Sequence, residues 1–418
     1  MTTSPLRVLL AGLNYSPEPT GIAPYTSGLA RGLAARGHEV HVLTTFPHYP
    51  QWRIAPGYRG WSMQETLQDV DVRRLRHYIP RGRNGIERAL SEWTFGARVV
   101  GSRWDSPDVV IGVSPALIGS AMTVVRGIGG WRRPAVGLII QDLYSAGLAE
   151  TRTASGHLGK IMTSLESWSA RRADGVSVIH DRFKQRVSSS LRVPESDIAV
   201  VRNWTHVPAV PDFDSDMVRQ QLGWGGKQVV LHAGAMGDKQ ALGNVVEAAR
   251  FSQSQGWNLH FVLMGDGNQR RTLEAQGRDI ASLQFLDPLP DEDYGRAMRA
   301  ADALLVNEKP GIVEMAVPSK LTSYFSTGVP VLAATEPTST TADEITASGA
   351  GIRIQPGDPR GLAEAAKVLC GDKMRAAELG AAGPRYCSDV LSEEQAIDGY
   401  EAWIRDLMVR ARVRRGEA

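Results

Sequence analysis

One stretch of the chain has the residue types to handle a phosphate: Val317-Pro318-Ser319-Lys320-Leu321-Thr322-Ser323-Tyr324. Pro318 ends an irregular segment, Ser319 is a good N-cap, and the spacing predicts a short helix to about Thr327. A helix N-terminus presents unpaired N–H groups and a partial positive charge, and Lys320 adds a full one. That combination suits a phosphate or diphosphate; the alternative is an ordinary capped helix with one solvated lysine. Glycine loops supply further candidates: Gly234 and Gly237 in Gly234-Ala235-Met236-Gly237-Asp238-Lys239-Gln240, Gly265 and Gly267 around Asp266, and Gly21 after Thr20. Glycine permits close backbone approach to a ligand, although a lone Gly-x-Gly equally makes a plain turn. Asp142 follows an apolar run at 136–140, where the end of a parallel strand would let it hold a ligand, orient a neighbour or cap the next segment.

These loops need a scaffold, and the periodicity provides one. Residues 6–12 read as a strand, 23–36 as a helix with Tyr25, Leu29 and Leu33 on one face, and 39–44 as a second strand. A βαβ opening of this kind predicts a parallel, helix-covered sheet. Further strands are predicted at 108–113, 136–140, 175–180 and 198–201. Residues 207–214 are proline-rich and non-periodic, a domain boundary. A second α/β unit follows, with strands predicted at 228–233, 258–264, 283–289, 303–307, 329–333 and 349–355. Helices are predicted at 242–250, 291–299, 360–370 and 373–379, and a last amphipathic helix at 391–408.

Composition excludes several classes. At 418 residues the chain can build two cores, and 42% hydrophobic with 22% charged residues does not describe a disordered protein. A net charge of +2 gives no reason to expect nucleic acid. The two cysteines, Cys370 and Cys387, exclude a disulfide framework or zinc ribbon and suit a reducing cytoplasm. The first residues do not look like a signal peptide, and the uncharged run at 109–125 is short for a span and broken by Pro115. Asp212, Asp214 and Asp216 sit in the linker and read as a solvated turn, not as metal ligands. Arg73, Arg74, Arg76, Arg81, Arg83 and Arg88 form a basic stretch. It reads as a solvated face or as attraction to an anionic acceptor or membrane, about 1 kcal/mol per near-surface cation. The apolar segment 116–125, with Trp131-Arg132-Arg133 after it, could share the membrane-facing role, and the tail arginines 410, 412, 414 and 415 read as solvated or as facing an anionic surface. The aromatic loop from Phe46 to Trp52 reads as local packing, with a sugar-binding surface as the alternative.

Pro318-Ser319-Lys320-Leu321, the aromatic Tyr324 and Gly328-Val329-Pro330-Val331 resemble the donor-binding motif of retaining GT4 glycosyltransferases. The nearest likeness is to the colanic-acid and exopolysaccharide branch, and Gln141-Asp142-Leu143-Tyr144 and Lys239 fit the same pattern. The resemblance implies a GT-B fold: two Rossmann-like α/β domains facing each other across a cleft. Residues 1–206 would be the acceptor domain and 207–390 the nucleotide-sugar donor domain. Residues 391–418 would be a helix crossing back to the first domain plus a basic tail.

Its activity would be transfer of a sugar from a nucleoside diphosphate sugar to an acceptor hydroxyl, a saccharide or lipid-linked saccharide in surface polysaccharide assembly. It would need no metal and no cofactor beyond that donor. Lys239 and Lys320 would stabilise the departing diphosphate. Ser319, Pro318, Leu321, Gly234, Gly237, Gly265 and Gly267 would line the donor, and Thr20, Gly21 and Asp142 the acceptor side. The family's pair of glutamates maps onto Met315, with Glu314 beside it, and Ser323; Glu314 is the sugar-contact candidate and Ser323 the ribose one. A cytoplasmic protein, peripheral at the inner membrane face through its basic segments, is the matching location. A sugar-nucleotide 2-epimerase and a non-catalytic sugar-nucleotide or partner-binding subunit remain as alternatives. Ala235 and Ser323 favour the latter, and Lys239, Ser319 and Lys320 oppose it.

Overall fold

The computed structural model describes residues 4–18, 21–49, 51–80, 85–130, 133–143, 157–205, 211–312 and 319–416. Two units emerge: Met1–Asn203 with Glu393–Ala418, and Trp204–Ser392. In the first, eight strands form one sheet: β1 (Arg7–Gly12), β2 (Glu39–Thr45), β3 (Ser62–Leu67), β4 (Val70–Leu75), β5 (Val109–Val113), β6 (Ala135–Ile140), β7 (Gly175–Val178) and β8 (Ile198–Val200). Their order is β3-β4-β2-β1-β5-β6-β7-β8, parallel throughout except for β3. The central β1 is apolar on both faces, and its Leu10 stands beside Val42 on one side and Ile111 on the other. Such two-faced burial is what a helix-covered parallel sheet demands.

The second unit holds β9 (Gln228–Ala233), β10 (Leu259–Met264), β11 (Leu283–Leu286), β12 (Ala303–Asn307), β13 (Val331–Ala334) and β14 (Gly351–Ile354). All are parallel, in the order β11-β10-β9-β12-β13-β14. The side-chain period of two sorts these apolar runs onto both faces. Val229, Leu231, Ala233, Val262, Met264, Leu304, Val306, Val331 and Ala333 enter one core, and Val230, Phe261, Leu263, Leu305 and Leu332 the other. In each sheet the order reverses beside the first strand of its unit, between β1 and β5 and between β9 and β12.

The C-terminal helix, Glu393–Arg415, is seated on the first sheet where glycines leave room. A Cβ on Gly137 would meet Leu407 at 2.6 Å and Trp403 at 2.7 Å; one on Gly32 would meet Ile397 at 2.7 Å. Of the tail arginines, Arg412, Arg414 and Arg415 are exposed, while Arg410 and Arg414 also tie the helix to the first unit. Arg410 pairs with Asp197 and donates to the Ser196 carbonyl at 2.5 Å, and Arg414 donates to the Ala173 carbonyl at 2.7 Å.

Other expectations also change. Residues 117–129 form a core helix, Leu117–Gly129, whose Leu117, Ala121 and Val124 are buried, so segment 116–125 is not a membrane face. Arg74 is fully buried, held by Glu65, the Ser16 carbonyl and the Thr45 carbonyl, which removes it from the basic surface. Arg81 and Arg83 lie outside the described residues. The stretch 46–104, which shows little regularity in sequence, contains the β3–β4 hairpin and the helix Gly85–Gly101. Asp214 caps the helix Ser215–Gln221, accepting from the Asp216 and Met217 amides. No helix among the described residues is long and apolar enough to cross a membrane.

Filling the helix seat should loosen the first unit. Gly137→Val overpacks against Leu407 and Trp403 and is expected to cost about 1–3 kcal/mol, seen as a lower midpoint of thermal unfolding. Gly129→Ala, where an added Cβ meets nothing within 4 Å, should leave the midpoint unchanged.

Candidate active site

Because the strands of the second unit are parallel, their carboxyl ends share one edge, and the loops leaving β9 and β12 diverge there. The helix Ser319–Ser326 begins at that edge and is fastened by Tyr324, whose hydroxyl accepts from the Ala233 amide at 2.8 Å and donates to the Ala233 carbonyl at 3.2 Å. Leu321 is fully buried in the core beneath. Its side chain anchors the helix, and its backbone N–H lies in the first turn.

Lys320, half-buried in the first turn, is the centre of the site. Its Nζ lies 3.5 Å from His232 Nε2 and would stand 3.7 Å from a Cβ placed on Gly234, whose φ is +132°. His232, fully buried on β9, has Nδ1 3.2 Å from the Leu305 carbonyl and Nε2 3.3 Å from that of Ala235. Burial, with the Lys320 charge adding to it, lowers the ring to about 3, so it is a neutral imidazole at working pH. An ammonium can donate to Nε2 only in the tautomer whose proton is on Nδ1, facing the Leu305 carbonyl.

Glu308, the first residue beyond β12, supplies the opposite charge. Its Oε1 accepts from the Thr341 hydroxyl at 2.6 Å and its Oε2 from the Thr335 hydroxyl. Burial raises this carboxyl, while the two hydroxyl donors and Lys320 pull it back. Burial in turn lowers Lys320 to about 8, against the support of the Glu308 carboxylate. Ser339 joins the group, 2.7 Å from the Thr335 hydroxyl, and caps the helix Thr340–Ser348. His232, Glu308, Thr335 and Thr341 carry no sequence motif, and their roles arise only when β9, β12 and β13 are laid side by side.

The Gly234–Gln240 loop is clamped onto the same edge. Asn307, at the end of β12, donates to the Gln240 carbonyl at 2.7 Å and the Ala241 carbonyl at 3.2 Å, and its own oxygen accepts from Asn244 at 2.8 Å. The Lys239 carbonyl accepts from the Lys309 amide at 2.9 Å, fixing the turn that carries the Lys239 side chain. Gly237 donates to Gln240 Oε1 at 3.0 Å. Gly265 and Gly267 owe their small size to the chain itself. Added Cβ atoms would stand 2.0 Å from the Gly234 carbonyl oxygen and 2.3 Å from that of Met236. Ser323 is buried one turn along the helix. Thr20, Glu314, Met315, Pro318 and the Ser319 side chain lie outside the described residues.

On the first unit, Asp142 is exposed just past β6, and its carbonyl accepts from the Ser114 hydroxyl at 3.3 Å. Gly21, at φ +68°, starts the helix Ala23–Ala35 with Tyr49 nearby. The less obvious organiser is Glu18, whose buried carboxylate accepts from the His48 and Tyr49 amides at 2.8 and 2.9 Å and from Asn14 at 2.8 Å. It ties the loop after β1 to the one after β2, which packs Phe46 and His48 inside and leaves Trp52 exposed. His180 caps the helix Asp181–Leu191 by accepting from the Arg182 amide at 3.1 Å, a structural role.

Residues 20–204 match the family described as a glycosyl transferase 4-like domain, and 227–372 that of glycosyl transferases group 1. The chain is 32% identical over 341 residues to the putative colanic acid biosynthesis glycosyl transferase WcaI of Escherichia coli (strain K12), spanning 77% of this chain and 82% of that one. Its fold is similar to that of Anabaena HepE in complex with UDP, with TM-score 0.70 and 16% identity, covering 96% of this chain and all of that one. It is similar also to sucrose-phosphate synthase from Thermosynechococcus elongatus, with TM-score 0.71 and 16% identity, over 97% and 99% of the two chains. With two doubly wound units of the GT-B kind and this degree of identity to WcaI, the chain belongs to the GT4-type glycosyltransferases.

Proposed function

We propose that the second unit binds a nucleoside diphosphate sugar and that the enzyme transfers its sugar, with retention, to a hydroxyl of a saccharide carried on a lipid. The observation carrying this reading is the ammonium of Lys320 against neutral His232 and under Gly234, at the carboxyl edge of β9. A diphosphate there meets Lys320, the N–H groups opening the Ser319–Ser326 helix and, from the adjoining loop, Lys239. As the bond from the anomeric carbon to the phosphate oxygen breaks, these groups take up the charge developing on that oxygen. The acceptor hydroxyl attacks from the same face, and the departing phosphate oxygen receives its proton, so no protein nucleophile is needed. HepE binding UDP and the polysaccharide role in the name of WcaI support the donor and acceptor classes. Asp142 and the Thr20–Gly21 loop are assigned to the acceptor, and Glu314 to the donor sugar. Peripheral attachment at the inner membrane face accompanies a lipid-borne acceptor.

A thermal-shift panel of UDP, GDP, ADP and dTDP, confirmed by calorimetry, tests the donor site. A nucleotide at about 100 times its Kd adds roughly 2.7 kcal/mol. Lys320→Ala should weaken the preferred nucleotide by about 1.5–3 kcal/mol, the range for a hydrogen bond to a charged group. No shift with any nucleotide, or equal binding by the Lys239→Ala/Lys320→Ala double variant, would defeat the reading.

The pH dependence has a definite sign. The Lys320 ammonium strengthens diphosphate binding, and burial lowers it to about 8. Affinity should therefore fall as pH rises through about 8 and level off near that of Lys320→Ala. Glu308 supports that ammonium, so Glu308→Gln should move the fall to lower pH. A curve that does not move would mean that Lys320 does not govern binding.

A further inference from the structure

The helix Gly85–Gly101 has two apolar faces, and the core uses one of them. Its inner side packs on the helix Leu117–Gly129. A Cβ on Gly96 would meet Met122 Sδ at 2.6 Å, Phe95 lies against Gly119, and buried Glu92 accepts from the Ile118 amide at 2.9 Å. Opposite stand Ile86, Leu90, Trp93 and Val100, which are 78%, 43%, 54% and 37% exposed. Their spacings of four, three and seven place them within a sector of about 80°, a stripe along ~21 Å of helix. Trp61, 74% exposed, extends the patch, since Arg98 on this helix donates to the Trp61 carbonyl at 2.8 Å and lies 5.6 Å from its ring. A contiguous exposed apolar surface of this kind marks an interaction site.

Charge decides the partner. Residues 51–104 contain ten arginines and five acidic residues, a net +5, whereas the whole chain carries +2. Exposed Arg53, Arg59, Arg76 and Arg88 belong to this segment, and Arg103 follows the helix, paired with Asp105. An apolar stripe with tryptophans, set among arginines, has the make-up of a helix lying in the headgroup region of an anionic bilayer. A protein partner would satisfy the stripe but would not require the surrounding positive field.

We propose that the outward face of the helix Gly85–Gly101, with Trp61, docks this enzyme on anionic lipid: Ile86, Leu90, Trp93 and Val100 enter the headgroup–acyl boundary and the neighbouring arginines meet lipid phosphates. The helix follows β4, so its Ile86 end lies toward the carboxyl edge of the first sheet, the edge carrying Gly21 and Asp142. The bilayer thus meets the protein beside the loops assigned to the acceptor. This location deepens the lipid-borne acceptor reading, while the docking itself is independent of it.

The test uses the full chain with no nucleotide or acceptor, so its failure and that of the donor reading are separate results. Co-sedimentation with vesicles of phosphatidylcholine plus phosphatidylglycerol should retain the wild type, and phosphatidylcholine alone should retain much less. The Ile86→Gln/Leu90→Gln/Trp93→Gln variant, altered only at exposed positions, should keep its unfolding midpoint and bind at least tenfold more weakly. Trp93→Ser alone gives a smaller loss and serves if the triple variant is unstable. Absence of wild-type binding to anionic vesicles, or equal binding by both variants, overturns the proposal. So does light scattering that finds a wild-type dimer made monomeric by the triple variant without vesicle binding, which would assign the face to a second copy.

Discussion

A cation removed from water has to be given partners, and the geometry around Lys320 is the answer to that requirement. A neutral imidazole accepts from it, a carboxylate held by two threonine hydroxyls balances it, and a glycine leaves space above it. None of these groups discharges the ammonium outright. Burial lowers it while Glu308 supports it. The same low-dielectric setting strengthens its interaction with an anion.

The rest of the second unit serves to hold that arrangement still. Parallel strands bring His232, Asn307, Glu308 and Thr335 to one edge from positions scattered over about a hundred residues. Tyr324 then pins the lysine's helix to β9, and Asn307 closes the Gly234–Gln240 loop onto β12. Each link is a neutral side chain bonded to a backbone group, so the scaffold remains unchanged when the charges beside it titrate.

Much of this was legible in the sequence because parallel strands buried on both faces leave continuous apolar runs. Those at 228–233 and 303–307 match β9 and β12 residue for residue. The Pro318-Ser319-Lys320 signal located the helix and its cation. Glu308 and His232 could not be found this way, since an isolated Glu or His acquires its role only from neighbours distant in sequence. The β3–β4 hairpin was hidden because its tight turn places Gln68 and Asp69 at positive φ without the glycine that usually announces it. The helix Gly85–Gly101 does carry an amphipathic period, but it follows Pro80-Arg81-Gly82-Arg83-Asn84, which reads as a loop, and its stripe at Ile86, Leu90 and Trp93 faces outward. Leu321 sits in the same motif with its side chain in the core, so packing helps to fix the residue type there.

The glycine seats at Gly32 and Gly137 have a bearing on synthesis. They are filled by Ile397, Trp403 and Leu407, which come from the last part of the chain. As the polypeptide leaves the ribosome, the first unit emerges with its sheet complete and this apolar surface uncovered. The second unit, continuous from Trp204 to Ser392, has every strand available before the covering helix appears. The order of translation is therefore not the order of completion: the unit made first is the last to close its core.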